Sequence, residues 1–199
     1  MIIFQDYGWV GDYNRLHQIT GAGTGVKSKL LLASHYQITA LGVDSGSGYM
    51  LIGVTMFDNY NNTKPTGNYI MLYDGISNQP VRIVPVEGTV NAFYSLAGTT
   101  YVSYGKKLGY WTGSGVTFLR AFKNITLTGN ELVYKHHITG VDNTLYVIDG
   151  KQLLAFGEIL PGSKKFYYAL SNQISTSVFK MICETTSKKL GLGFATNKF

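Results

Sequence analysis

The residues that could do chemistry are few, and they are spread thinly along 199 residues. Gly21-Ala-Gly-Thr-Gly-Val-Lys27-Ser28 comes nearest to a phosphate-binding loop, in which backbone N–H groups wrap an anion and a lysine neutralises it. That chemistry needs a glycine directly before the lysine. Val26 stands there instead, and no strand–loop–helix context surrounds the stretch, so an exposed glycine-rich connection is the plainer reading. The four histidines are His17, His35, His136 and His137. Adjacent strand residues point to opposite faces, which prevents His136 and His137 from chelating one ion together. Asp44, Asp58, Asp74, Asp142 and Asp149 fall in turn contexts, where an aspartate caps the turn through its own side chain. They do not alternate at a calcium-loop spacing. Cys183 is the single cysteine, so the chain has no disulfide framework and no metal-finger spacing. The expectation is a protein without catalysis, metal or cofactor.

Aromatic residues say more. Tyr and Trp on loops can stack on sugars or anchor a protein interface. Phe57 adjoins and Tyr60 lies within the long connection from Asp58 to Asn68, and Trp111 stands at a strand end; these three are the candidate ligand- or receptor-contacting residues. A second candidate surface is apolar. Val178, Phe179, Met181 and Ile182 open a C-terminal stretch that needs a partner, and Met1 to Phe4 offers a short apolar strand at the other terminus.

Charge narrows the partners. The net charge is +6, but the lysine pairs at 106–107, 164–165 and 188–189 sit at turns and the arginines number only Arg15, Arg82 and Arg120. No basic stripe results, so specific nucleic-acid binding is not expected. The start, MIIFQDYGWV, lacks a basic leader and a long apolar core. No apolar run approaches the roughly 20 residues that cross a bilayer. A soluble chain without membrane insertion is the expectation.

The elements that must position these residues are strands. Fifteen tyrosines, ten phenylalanines and 24 glycines suit strands and tight turns, and no window sustains a helical period. The clearest unit is 137–170, with apolar runs Ile138–Val141, Leu145–Ile148, Leu153–Phe156 and Phe166–Leu170, and Asp149-Gly150 as a hairpin signal. The pattern recurs over 36–86 and 90–122, where matching second strands begin near Leu51, Tyr101 and Leu145. That is a period of roughly 45–50 residues, the spacing of four-stranded repeat units. An extra hairpin is expected between Lys123 and Lys135. The organisation reads as N-terminal strands and a Gly-rich connection over 1–35, repeated units over 36–176, and a partial unit over 177–199. The fold class is all-β: a propeller-like array of four-stranded antiparallel blades, with a β-sandwich or jelly roll as the alternative.

The units at 36–86, 90–122 and 137–170 resemble β-propeller blades, and their loose spacing and Tyr-rich strands look most like the propellers of bacteriophage virion proteins of the tail, nozzle and fibre. Trp111-Thr-Gly-Ser-Gly-Val-Thr117-Phe118 also partly resembles the Asp-box of sialidase-like propellers, with Gly113 where the aspartate belongs. In those folds the motif is structural. Glycosidase chemistry there wants an arginine cluster on one rim, whereas Arg82 and Arg120 fall within fourth strands. The resemblance implies a virion structural or adaptor protein that assembles through sheet edges and loops, with other virion proteins or copies of itself as partners. The alternative is a module binding a carbohydrate or receptor, such as a host-surface glycan.

Overall fold

The computed structural model describes residues 1–21, 25–58, 64–96, 98–121, 138–141, 144–149, 152–157 and 166–171. The chain divides into two compact units, Met1–Phe122 and Lys123–Phe199. All regular structure among the described residues is strand. The expected hairpin between Lys123 and Lys135 lies outside the described residues.

Four antiparallel sheets follow one another, each with four strands in chain order. The first contains β1 (Ile2–Phe4), β2 (Tyr7–Asp12), β3 (Arg15–Thr20) and β4 (Gly25–Leu31). The second contains β5 (Tyr36–Val43), β6 (Met50–Phe57), β7 (Pro65–Tyr73) and β8 (Arg82–Pro85). The third contains β9 (Val90–Leu96), β10 (Thr99–Tyr104), β11 (Lys107–Trp111) and β12 (Val116–Ala121). In the second unit, β13 (Ile138–Val141), β14 (Thr144–Asp149), β15 (Gln152–Gly157) and β16 (Phe166–Ser171) form the fourth. The units expected at 36–86, 90–122 and 137–170 are therefore four-stranded antiparallel meanders.

Residues 1–35 depart from expectation. They form a complete sheet, and Gly25, Val26, Lys27 and Ser28 of the supposed connection are the start of β4, paired with Thr20, Ile19, Gln18 and His17. Gly8 and Gly11, two glycines of this N-terminal stretch, lie inside β2. Glycine belongs in a strand where another chain segment comes too close for a side chain. A methyl on Gly11 would stand 2.7 Å from Ile38 Cγ2 of β5, and one on Gly8 would stand 3.2 Å from Ile19 Cδ1.

Within the first unit the second sheet is packed on both faces. Met50 to Thr55 of β6 are buried without a break, the mark of a strand covered on both sides. Met50, Ile52 and Val54 join Met71 and Tyr73 against Phe4, Trp9, Leu16 and Leu30 of the first sheet. Leu51, Ile70 and Leu72 join Val84 against Val90, Val102, Tyr104 and Trp111 of the third. Trp9 centres the first core: its ring meets Phe4 and Tyr73 edge-on at 6.2 and 6.0 Å, and its Nε1–H donates to Phe4 O at 3.0 Å. Neighbouring sheets meet mainly through their early strands, β1 and β2 against β5, and β5 against β9. Gly53 of β6 repeats the device of Gly11: a methyl there would lie 2.7 Å from Val90 Cβ of β9.

The turns of these meanders segregate to two ends. At one, Gln5 Nε2 donates to Asp74 O at 3.1 Å and the Ser45 amide to Thr100 Oγ1 at 3.3 Å. Each joins a turn of one sheet to the next sheet. At the opposite end the Ile38 amide donates to Tyr13 O at 2.7 Å. There Thr55 Oγ1 donates to Asn68 Oδ1 at 2.8 Å, and Thr89 Oγ1 donates to the same oxygen at 3.2 Å.

Candidate functional site

The fourth strands β4, β8 and β12 are outermost. Each is hydrogen-bonded on one side only, to β3, β7 and β11. They carry exposed aliphatic and aromatic side chains where a solvated edge would carry polar ones: Val26 and Leu31 on β4, Val81 and Ile83 at β8, Phe118 and Leu119 on β12. Leu119 is the extra residue of a bulge, since Leu108 pairs with Arg120 and Gly109 with Phe118. Edge strands with unpaired N–H and C=O groups template a further strand unless charge or proline blunts them. Lys27 and Lys29 do so on β4, and Arg82 and Pro85 on β8. β12, Val-Thr-Phe-Leu-Arg-Ala, contains neither lysine nor proline.

A second surface is aromatic. At the end of the second sheet carrying the 58–64 connection, His35 lies 4.5 Å from Tyr36, centroid to centroid, and Tyr36 lies 6.4 Å from Tyr69. Tyr36 pairs with Met56, Met56 with Gly67, and Tyr69 sits two residues beyond Gly67, so both tyrosines project from one face. A methyl on Gly67 would stand 2.6 Å from the Tyr69 hydroxyl, which shows the phenol lying along the bare backbone. All three rings are half-buried, and Tyr36 packs against the core between the first and second sheets.

The candidate residues distribute unevenly over these surfaces. Phe57 is half-buried at the end of β6, its amide donating to His35 O at 2.8 Å, beside the aromatic row. Tyr60 lies outside the described residues. Trp111 is a correction: only 6% exposed, it belongs to the core between the second and third sheets and presents no open ring. Placement at a strand end did not put it in solvent, because β11 is the third strand of its sheet and β12 covers its edge. Its indole N–H has no partner among the described residues. Val178, Phe179, Met181 and Ile182, like His136 and His137, lie outside the described residues. The sequence reading missed the fourth strands as a surface and missed Tyr36 and Tyr69. The closely spaced apolar pairs Val81/Ile83 and Phe118/Leu119 were the available signal for the former.

The aspartate turns are self-contained. Asp44 accepts the Gly46 amide at 3.2 Å, the Ser47 amide at 3.3 Å and the Ser47 hydroxyl at 2.5 Å. Asp74 repeats the arrangement with Ile76, Ser77 and the Ser77 hydroxyl at 2.9, 2.8 and 2.6 Å. The Ser77 hydroxyl, helped by the Ser77 and Ile76 amides, holds the Asp74 carboxyl below the ordinary range. Burial, aided by the Asp74 charge, pushes the Tyr73 phenol up. Lys107 pairs with Glu87, and each stabilises the charged form of the other, lowering the acid and raising the base. The Asp44 and Asp74 carboxylates are occupied by neighbours in sequence, and Glu87, in the β8–β9 connection, by Lys107 of β11. Among the described residues no three metal-ligating side chains converge, and no helix is long and apolar enough to cross a membrane. No protein-family model and no curated protein matches the chain.

Proposed function

We propose that this chain is a non-enzymatic structural or adaptor protein of a bacteriophage particle, with a propeller-like fold, that assembles with other chains through its sheet edges and loops. The observation that carries the reading is the repeated placement of exposed apolar side chains on the outermost strands: Val26 and Leu31, Val81 and Ile83, Phe118 and Leu119. A free edge supplies main-chain hydrogen bonds, and apolar side chains along it supply burial, which together make strand addition favourable. The virion context comes from the resemblance of the repeated units to phage propellers. The test is mass spectrometry of purified particles of the encoding virus. A fixed copy number after washing in high salt supports the reading, and absence from the particle refutes it.

A second reading is supported by the aromatic row. His35, Tyr36 and Tyr69, with Phe57 adjacent, could stack on a sugar of a host-surface glycan. Glycan-array binding by the wild-type chain, lost in Tyr36→Ala and Tyr69→Ala, would favour this function; an array without signal for the wild type would remove it.

A further inference from the structure

We propose that the outer face of the first sheet is a contact surface between two copies of this chain, each presenting the same face to the other. The inference deepens the assembly reading by naming the partner at one surface, and it concerns a sheet face rather than an edge. The register defines that face. Trp9 and Gln18, then Gly11 and Leu16, point inward to the second sheet. The alternate rows, Ile3–Gly8–Ile19–Val26 and Val10–His17–Ser28, therefore point away from it, as do Asp12, Arg15 and Leu31. Ile3 is 66% exposed, Val26 69% and Leu31 63%, while Val10 and Ile19 are half-buried between them. Ile3, Val10, Ile19 and Val26 thus form one aliphatic strip across all four strands, with Gly8 leaving a shallow furrow beside Ile19, while Leu31 lies beyond Ser28 on β4 opposite Arg15. Scattered exposed aliphatic residues need no explanation, but a contiguous strip does.

Two observations identify the occupant. The first is continuity: in the first unit, the cores between first and second sheets and between second and third are both made by one aliphatic sheet face laid on another. The outer face of the first sheet has that composition, and sheets pack face to face with their strands about 30° apart. The second is charge. Lys27 lies in the inward row of Gln18, and Lys29 is the unpaired residue of the β3–β4 bulge. Its charged rim consists of Asp12 and Arg15, cross-strand partners of opposite sign, both exposed. A twofold axis through the aliphatic strip sets Asp12 of one copy toward Arg15 of the other, and the reverse, so the face is complementary to itself. Closed twofold pairing is the commonest symmetric assembly.

Sedimentation velocity on the full chain over a concentration series tests the pairing. A monomer–dimer equilibrium is expected for the wild type. Ile3→Lys with Val26→Lys should lower the association constant by at least about tenfold with unchanged circular dichroism and melting temperature, because both side chains are exposed in the single chain. Asp12→Arg alone should weaken pairing, and adding Arg15→Asp should restore it. A wild type that stays monomeric at about 100 µM, or a lysine variant that still pairs, would overturn the proposal. A lysine variant with a markedly lowered melting temperature would do so too, since the strip would then be covered within one chain. None of these outcomes bears on whether the chain is found in virus particles, so the wider reading stands or falls separately.

Discussion

Replacing Gly53 with alanine should destabilise the protein, against the usual preference of strands. In a strand interior, alanine is favoured over glycine by about 0.5–1 kcal/mol because the unfolded chain has less freedom to lose. At Gly53 the added methyl would lie 2.7 Å from Val90 Cβ, 2.8 Å from Val90 Cγ1 and 3.2 Å from Thr39 Oγ1. The nearest of these is fixed to the β9 backbone, so relief requires β6 and β9 to move apart rather than one rotamer to change. Val90 is fully buried, and overpacking of such a site costs about 1–3 kcal/mol. The net loss is then up to about 2.5 kcal/mol, or a fall in melting temperature of up to roughly 10 °C for a unit of this size. Gly115→Ala is the matched control, because a methyl there meets nothing within 4 Å and the residue needs no left-handed backbone. Thermal unfolding followed by circular dichroism compares the two. If Gly53→Ala melts at or above the wild type while Gly115→Ala behaves the same way, the close approach of the second and third sheets is wrong.

Four further outcomes follow from the same geometry. Gly11→Ala and Ile38→Ala should couple by about 0.5–3 kcal/mol in urea melts, since removing Ile38 Cγ2 vacates the 2.7 Å contact; additive losses would deny that β2 and β5 touch there. Trp111→Ala should cost about 3–5 kcal/mol, whereas Trp111→Phe should cost far less because it also deletes an indole N–H that lacks a partner; equal losses would mean the N–H is satisfied. The depressed Asp74 carboxyl contributes stability that is present above its ordinary value of 3.8 and is lost as pH falls through its lower folded value. Asp74→Asn should therefore flatten the acid limb of stability against pH, and an unchanged limb would count against the Ser77 hydrogen bonds. The raised Tyr73 phenol has the opposite sign: its contribution is intact below 10.0 and declines at higher pH, so Tyr73→Phe should blunt alkaline destabilisation. That variant also gives up the 2.7 Å bond to Ser77 O, about 1 kcal/mol at neutral pH.

The second to fourth sheets were legible because their strands are long, aromatic or branched, and separated by turn residues whose roles are local. Asp44 and Asp74 cap their turns with their own carboxylates, as their neighbours in sequence imply. The first sheet was not legible, for a reason set in three dimensions. Gly8 and Gly11 punctuate β2 as if it were loop, yet Gly11 is glycine because Ile38 occupies the space of its side chain. That contact spans 27 positions, and nothing local to β2 announces it. β1 adds to the difficulty, being only three residues long. Trp111 illustrates the limit for sites. Its exposure depends on β12 pairing beyond it and on Leu51 and Val102 packing beside it, none of which its immediate neighbours reveal. The aromatic row was half visible: Phe57 marked the right end of the second sheet, but Tyr36 and Tyr69 become neighbours only through the β5–β6–β7 register.

The succession of sheets also bears on how the chain acquires its structure. Every strand of the first unit pairs with the strand just before or after it, and each of its sheets docks on the one made before it. A ribosome adds about 5–20 residues per second, so a sheet such as the first, from Ile2 to Leu31, takes seconds to emerge, whereas a hairpin closes in about 1–10 µs. The first sheet can thus be complete before β5 exists, with the bare backbone of Gly11 already formed when Ile38 arrives to fill it. Nascent β5 and β9 meet a finished template rather than an unfolded mate, and the direction of synthesis itself selects the order of docking.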